Sequence, residues 1–377
     1  MLIFDGDYPM AHGALDLNRI LTVPISEARA LPDKDADTRW PNAGIMATLP
    51  EMRRGKVAGA LVKVVGRIKR PNSPLWGYSS ADGAYAAAQG CLAYYRILAR
   101  RGEVRLLHTG GDYAEHFAQW AAVDAAGADT SAMPIGFVLG MEGADPILWP
   151  EQVEDWWADG LRVVSLTHYG VSSYAHGTGT GTGTAGGLTA QAKPLLRAMA
   201  RLGMILDLTH IADEGFWQAL ALFDGPVLAS HQNCRALVAG ERQFSDEQLR
   251  AIIERGGVIG ASMDTWMLYR DGQLDWAKAG ISERRDLFPR QAVTLAHVAD
   301  HIDHVCQLAG NVNHAAIGGD TDGQGGVEGA PFEVDTIADY QQLAAILSGR
   351  GYDQTAIEQI MFGNWLRFYT RWLPAVR

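Results

Sequence analysis

A chain of 377 residues, 47% of them hydrophobic and 20% charged, can bury a large core and has an ordinary globular composition. Its formal net charge of -11 argues against a nucleic-acid partner, which would need a basic face, and its 3 cysteines (Cys91, Cys234, Cys306) stand apart with no CxxC pair, against both a disulfide framework and a thiolate zinc site. The opening MLIFDGD lacks the basic flank and long apolar run of an export signal, and no later run approaches the roughly eighteen apolar residues of a membrane span, so a cytoplasmic protein with no membrane anchor is expected.

Along the chain, short apolar or β-branched runs alternate with longer helical segments, as in a parallel sheet with crossover helices. The predicted strands are 2–6, 58–66, 134–143, 161–168, 203–210, 225–231, 257–263 and 314–320, with 104–110 as a further, peripheral strand. Eight βα units closing as a (β/α)8 TIM barrel, one domain over residues 1–377, is the simplest reading, and an open doubly wound sheet is the alternative. Several strands end in a polar residue, which such a barrel would carry at its carboxyl-end rim.

Between the strands, LTAQAKPLLRAMARLG predicts a helix capped by Thr189, with Leu195, Met199 and Leu202 on one face and Gly203 as its stop. The glycine-rich stretch at 174–187, YAHGTGTGTGTAGG, reads either as a mobile surface loop or as a substrate lid beside the rim. A phosphate cradle does not fit, because Lys193 falls inside the helix that follows. The insert at about 265–289 is polar and aromatic and reads as a cover over the site or as a contact with a second subunit, so a homodimer is one arrangement to test. His297, His301 and His304 share helical spacing, but Val298, Ile302 and Val305 make the apolar stripe, which leaves the histidines as a structural flank near solvent.

The chemistry falls on strand ends. MILDLTH and PVLASH each close an apolar run with a histidine, His210 and His231, whose neutral imidazoles suit zinc or another divalent metal ion. Glu142, in GMEGAD, adds a carboxylate at the same rim, and one carboxylate with two histidines is a common catalytic metal set with positions open for water and substrate. Asp320, in IGGDTDG, can ligate a metal or carry a proton, its structural role being to cap the next turn.

Together GMEGAD, SLTHYG, GMILDLTH, PVLASHQNCRAL, GERQFSDEQL, TLAHVADHIDHVCQLAG, AAIGGDTDG and GNWLRFY resemble the membrane dipeptidase (renal dipeptidase, M19) family of the amidohydrolase superfamily, over nearly the whole chain. The resemblance implies a (β/α)8 barrel with a two-metal, usually zinc, site that hydrolyses dipeptides, often with a D-residue at the carboxyl side. It implies that Glu142 bridges the metals and that His210 and His231 hold one of them. His168 would contact the reacting carbonyl, Arg242 would hold the substrate, and Asp320, at the other metal, would transfer the proton.

The first strand departs from the family, which has His-x-Asp after Asp-Gly where this chain has DGDYPMA. Aligned without a gap, Asp7 replaces the histidine and Pro9 the aspartate; with a gap, Asp7 matches the aspartate and the histidine is deleted. Either way the first metal position is short of ligands, although Asp7, Glu142 and Asp320 offer oxygens to a hard ion. One firm metal site and a second in doubt are expected, with His12 a substitute ligand only if its loop folds back. The rival readings are a mononuclear amidohydrolase acting on a lactam, lactone or N-acyl amino acid, and a non-catalytic barrel.

Overall fold

The computed structural model describes residues 1–377 apart from 36–40, 72–75, 179–185, 271–288, 323–325 and 376–377. Nine strands are described, and all pair in parallel: β1 Ile3–Tyr8, β2 Val57–Val65, β3 Val104–Leu106, β4 Ile135–Glu142, β5 Val163–Ser165, β6 Ile205–Asp207, β7 Val227–Leu228, β8 Ile259–Ser262 and β9 Ala315–Gly319. Each predicted run overlaps one of them, although β1 runs two residues beyond the predicted 2–6, and β3 is peripheral as expected, pairing only with the start of β4. The main sheet runs β1, β2, β4, β5, β6, β7, and β8 pairs with β9. This order follows the chain without the reversal that an open doubly wound sheet requires. The result is an α/β fold whose parallel sheet curls toward a barrel. Its two edges approach the β8–β9 pair, where Gly260 N donates to Ala229 O at 2.9 Å and Asp320 N to Asp7 O at 3.1 Å.

Helices pack around the strands: α1 Ala81–Arg100, α2 Gly110–Ala125, α3 Ala192–Leu202, α4 Asp213–Leu222, α5 Asp246–Glu254, α6 Leu295–Ala309 and α7 Asn364–Trp372. Thr109 with Asp112 and Ser245 with Gln248 form reciprocal caps that satisfy the free N–H groups opening α2 and α5. Thr189 does not cap α3. The helix begins at Ala192, because the Thr189 hydroxyl instead donates to Ser173 O at 2.8 Å. Gly203 does end it, in the left-handed conformation at φ 70°, and Leu195 and Met199 face the core.

The α6 histidines part company. His297 sits at the helix start beside Thr294 N, and His304 pairs with Asp246 at 2.7 Å. His301 is not near solvent: it is buried, and its Nδ1 accepts from Cys234 N at 3.0 Å. None of the three belongs to a group of possible metal ligands among the described residues. Cys91, Cys234 and Cys306 are free and buried. Among the described residues no helix is long and apolar enough to cross a membrane.

Candidate metal centre

Glu142 ends β4, and His210 and His231 follow β6 and β7 by three residues each, so neighbouring strands deliver them to one rim. His210 is held at φ 71°, and Asp320, directly after β9, at φ 64°. Two non-glycine residues in this uncommon region at one rim mark where the fold tolerates strain to aim side chains. All four are buried.

Three donor atoms converge. His210 Nε2 lies 3.0 Å from His231 Nε2, and Glu142 Oε1 lies 3.2 Å from the first and 3.6 Å from the second. Ligands about 2.0–2.1 Å from a tetrahedral zinc are roughly 3.3 Å apart, so this triangle has the dimensions of one face of such a site. His231 is oriented from behind, its Nδ1 lying 2.9 Å from Ser230 Oγ and 3.3 Å from Asp7 Oδ1, which leaves Nε2 for a ligand. Asp320 Oδ2 is 3.8 Å from the same Nε2.

His168 stands at the edge, its Nε2 3.9 Å from Glu142 Oε1 and its ring 4.5 Å from that of His210. Its other nitrogen, Nδ1, meets the Arg67 guanidinium. Since arginine can only donate, a neutral His168 carries its proton on Nε2, facing the centre. Arg242 is buried and donates to Gln232 Oε1 at 2.6 Å and to His231 O at 3.0 Å, with its guanidinium carbon 6.0 Å from the Tyr169 ring centre. Tyr169 packs with Trp266 and Met267, so the opening of the 265–289 insert lies over the rim; its residues 271–288 are outside the described ones.

The described flanks of the glycine-rich stretch are fastened rather than loose. Thr178 N donates to His210 O at 2.9 Å, and Gly177 fits so tightly over His168 O that a Cβ would lie 2.0 Å from it. Residues 179–185 lie outside the described part.

At the first strand Asp5 and Asp7 share the inward face. Asp7 Oδ1 is 2.7 Å from the Lys63 ammonium, which also donates to Asp207 Oδ2 at 2.9 Å and Ser230 Oγ at 3.2 Å. Asp7 Oδ2 has no hydrogen-bond partner among the described residues. Pro9 turns away to line a small recess with Tyr8, Met10 and His12, and His12 pairs with Asp16 at 2.6 Å, outside the centre.

The electrostatics are those of crowded buried acids. Burial, reinforced by Asp7, raises the Glu142 carboxyl, and burial with Asp7, Glu142 and Asp264 pushes Asp320 up to about 8 against the pull of His231. Burial holds His168 and His210 neutral, helped by Arg67 and Arg242 respectively. For Asp7 and Asp207 burial is outweighed by Lys63 and His231, which keep both ionised. The donor set of two imidazoles and a carboxylate, flanked by more carboxylates, fits a borderline divalent ion.

Lys63, Arg67, Asp207 and Ser230 were not among the residues singled out by sequence. Lys63 had a signal available: a lone cation in the otherwise apolar strand VAGALVKVV. Arg67, in a polar stretch after that strand, had none.

The family model for membrane dipeptidase (peptidase family M19) matches residues 10–371. An uncharacterized protein of Klebsiella pneumoniae is 32% identical over 184 residues, 49% of this chain and 60% of that protein. An uncharacterized dipeptidase of Schizosaccharomyces pombe is 28% identical over 62% of this chain and 53% of its own length. The chain therefore spans about half the length of the curated relatives it matches. Among solved structures, a metallopeptidase from Rhodobacter sphaeroides liganded with a phosphinate mimic of the dipeptide L-Ala-D-Ala has a TM-score of 0.74 at 21% identity, covering 99% of both chains. A dipeptidase of family M19 has a TM-score of 0.73 at 22% identity, covering 100% of this chain and 99% of that one. At these identities the likeness is one of fold.

Proposed function

From the premise that the chain belongs to the membrane dipeptidase family, peptidase family M19, we propose that it is a metal-dependent hydrolase of dipeptides, with zinc as the natural ion and with D-residues accepted at the carboxyl side. In this reading the two parallel sheets are arcs of one (β/α)8 barrel that forms a single domain. The observation that carries it is the triangle of Glu142, His210 and His231, with sides of 3.0, 3.2 and 3.6 Å. The ligand named for the Rhodobacter sphaeroides relative supports the choice of substrate class.

These three residues would hold the ion, which when bound supplies Lewis-acid polarisation of the scissile carbonyl and of water. His168, with its proton on Nε2, donates to the oxyanion that develops on the carbonyl, and Arg67 fixes that tautomer. Asp320, whose Oδ2 lies 3.8 Å from His231 Nε2, accepts the proton of the attacking water and passes it to the leaving amine. Arg242 presents its remaining N–H groups to the substrate carboxylate, whose two oxygens match the guanidinium fork.

The deciding experiment measures metal per chain by elemental analysis for the protein and for His231→Ala, with hydrolysis of a panel of L,L and L,D dipeptides. Bound metal and turnover in the parent, both lost in His231→Ala, are expected. Turnover confined to lactams, lactones or N-acyl amino acids would move the reading to another amidohydrolase, and neither metal nor turnover after reconstitution would leave a non-catalytic barrel.

A further inference from the structure

Resting on that metal-dependent reading, we propose that the Lys63 ammonium stands in for a second metal ion, so that the centre holds one divalent ion on Glu142, His210 and His231. An ammonium has three N–H donors, and all three of Lys63's have acceptors: Asp7 Oδ1 at 2.7 Å, Asp207 Oδ2 at 2.9 Å and Ser230 Oγ at 3.2 Å. The side chain is fully buried and cannot swing out to solvent. It runs past Gly140, its register partner on β4, where a Cβ would lie 3.3 Å from Lys63 Cδ, so the missing side chain at 140 leaves room for the lysine stem.

Of the two carboxylates it bridges, Asp7 is the one a second ion would need. Asp7 is the one carboxylate of the first strand that reaches His231, at 3.3 Å from Nδ1, and Asp207 is already saturated by Lys63, Ser165 Oγ at 3.1 Å and the backbone N–H groups of Thr209 and Ser230, each at 3.1 Å. Pro9 brings no donor atom, and His12, in the same recess, is paired with Asp16. Paired metals in catalytic sites stand about 3.5–4 Å apart and share carboxylates. Asp7, whose Oδ2 has no hydrogen-bond partner among the described residues, lies close enough to Glu142 and His231 for the three to hold an ion, but that ion would have to share Asp7 with the fixed positive charge of Lys63, 2.7 Å from Oδ1. A covalently attached monovalent cation does the neutralising instead, and Asp7 acts through His231 as a positioning residue.

The test uses Mn2+, whose spectrum distinguishes isolated from paired ions. Metal-free full-length protein is loaded with Mn2+, freed of excess by gel filtration, and measured for manganese per chain and by electron paramagnetic resonance. One ion per chain with the six-line spectrum of an isolated centre is expected. Two ions with an exchange-coupled spectrum overturn the proposal while leaving the metal-dependent reading intact; no bound ion removes both. Lys63→Met, checked for folding by its melting transition, is expected to take up a second ion and show coupling, whereas one isolated ion in the folded variant would count against Lys63 as the stand-in. Should Lys63→Met not fold, the parent count decides, and Lys63→Arg, which keeps the charge, must still bind one ion.

Discussion

Two buried histidines outside the ligand set make acid the weak side of this protein. Burial pushes His116 down to about 4 and His301 down to about 3, while in an unfolded chain each titrates near 6.5. Between those values the unfolded state binds the extra protons. Their contribution to stability is therefore complete above pH 6.5 and declines as pH falls toward 4 and 3, by up to about 1.4 kcal/mol per pH unit per histidine. His301→Leu, which gives up the acceptor for Cys234 N, should cost about 1–3 kcal/mol at pH 7 but lessen the fall in stability between pH 6.5 and 4.5. Urea midpoints across that range check it, and an undiminished slope would reject His301 as a source. The same residue shows why some side chains were misread: helical spacing put His301 on a flank, but α6 also packs against the segment carrying Cys234, which one-dimensional periodicity does not report. Glu142, His210, His231 and Asp320 were readable because each closes an apolar run. Lys63 was overlooked because a long apolar strand absorbs one cation without changing its pattern, and only the fold brings Asp7 and Asp207, 200 residues apart in sequence, to the two sides of its ammonium.

At the scale of elements, the end of β9 carries the most constraint. Gly319 has φ 57°, Asp320 follows at φ 64°, and a Cβ on Gly319 would lie 2.1 Å from Asp5 Oδ1. Gly319→Ala should cost at least about 2 kcal/mol, from left-handed strain and the clash, and should displace Asp320, so that melting temperature and any dipeptidase rate fall together. An alanine variant that melts with the parent would show that the turn is freely adopted. Strands were the most legible elements, since buried parallel strands appear as continuous apolar runs between turn residues. Helix starts were less so: Thr189 looks like a cap three residues before α3, yet its hydroxyl is taken by Ser173 O, a partner supplied by the folded glycine-rich flank.

Across the whole molecule, the two ends of the chain are stitched together by aromatic rings. Phe4 of β1 lies 5.9 Å from Trp365 and 5.4 Å from Tyr369 of α7, and Trp365 also donates its indole N–H to Ile317 O of β9 at 3.0 Å. Trp365→Ala should lose about 3–5 kcal/mol, as large core deletions do, in one cooperative step. A denaturation curve with two transitions would instead mark α7 as a separate unit. The pattern GNWLRFY was legible as part of a family resemblance, and its physical meaning, a helix that ties β1 to β9, required the fold.

The buried cysteines have a practical side. Burial raises the thiols of Cys91 and Cys306 to about 11 and that of Cys234 further, so the folded surface offers almost no thiolate at neutral pH. To a maleimide dye the native protein is nearly blank. One cysteine introduced into the glycine-rich stretch would then be the only place such a dye settles, and its fluorescence would report directly on whether that stretch responds when a dipeptide arrives.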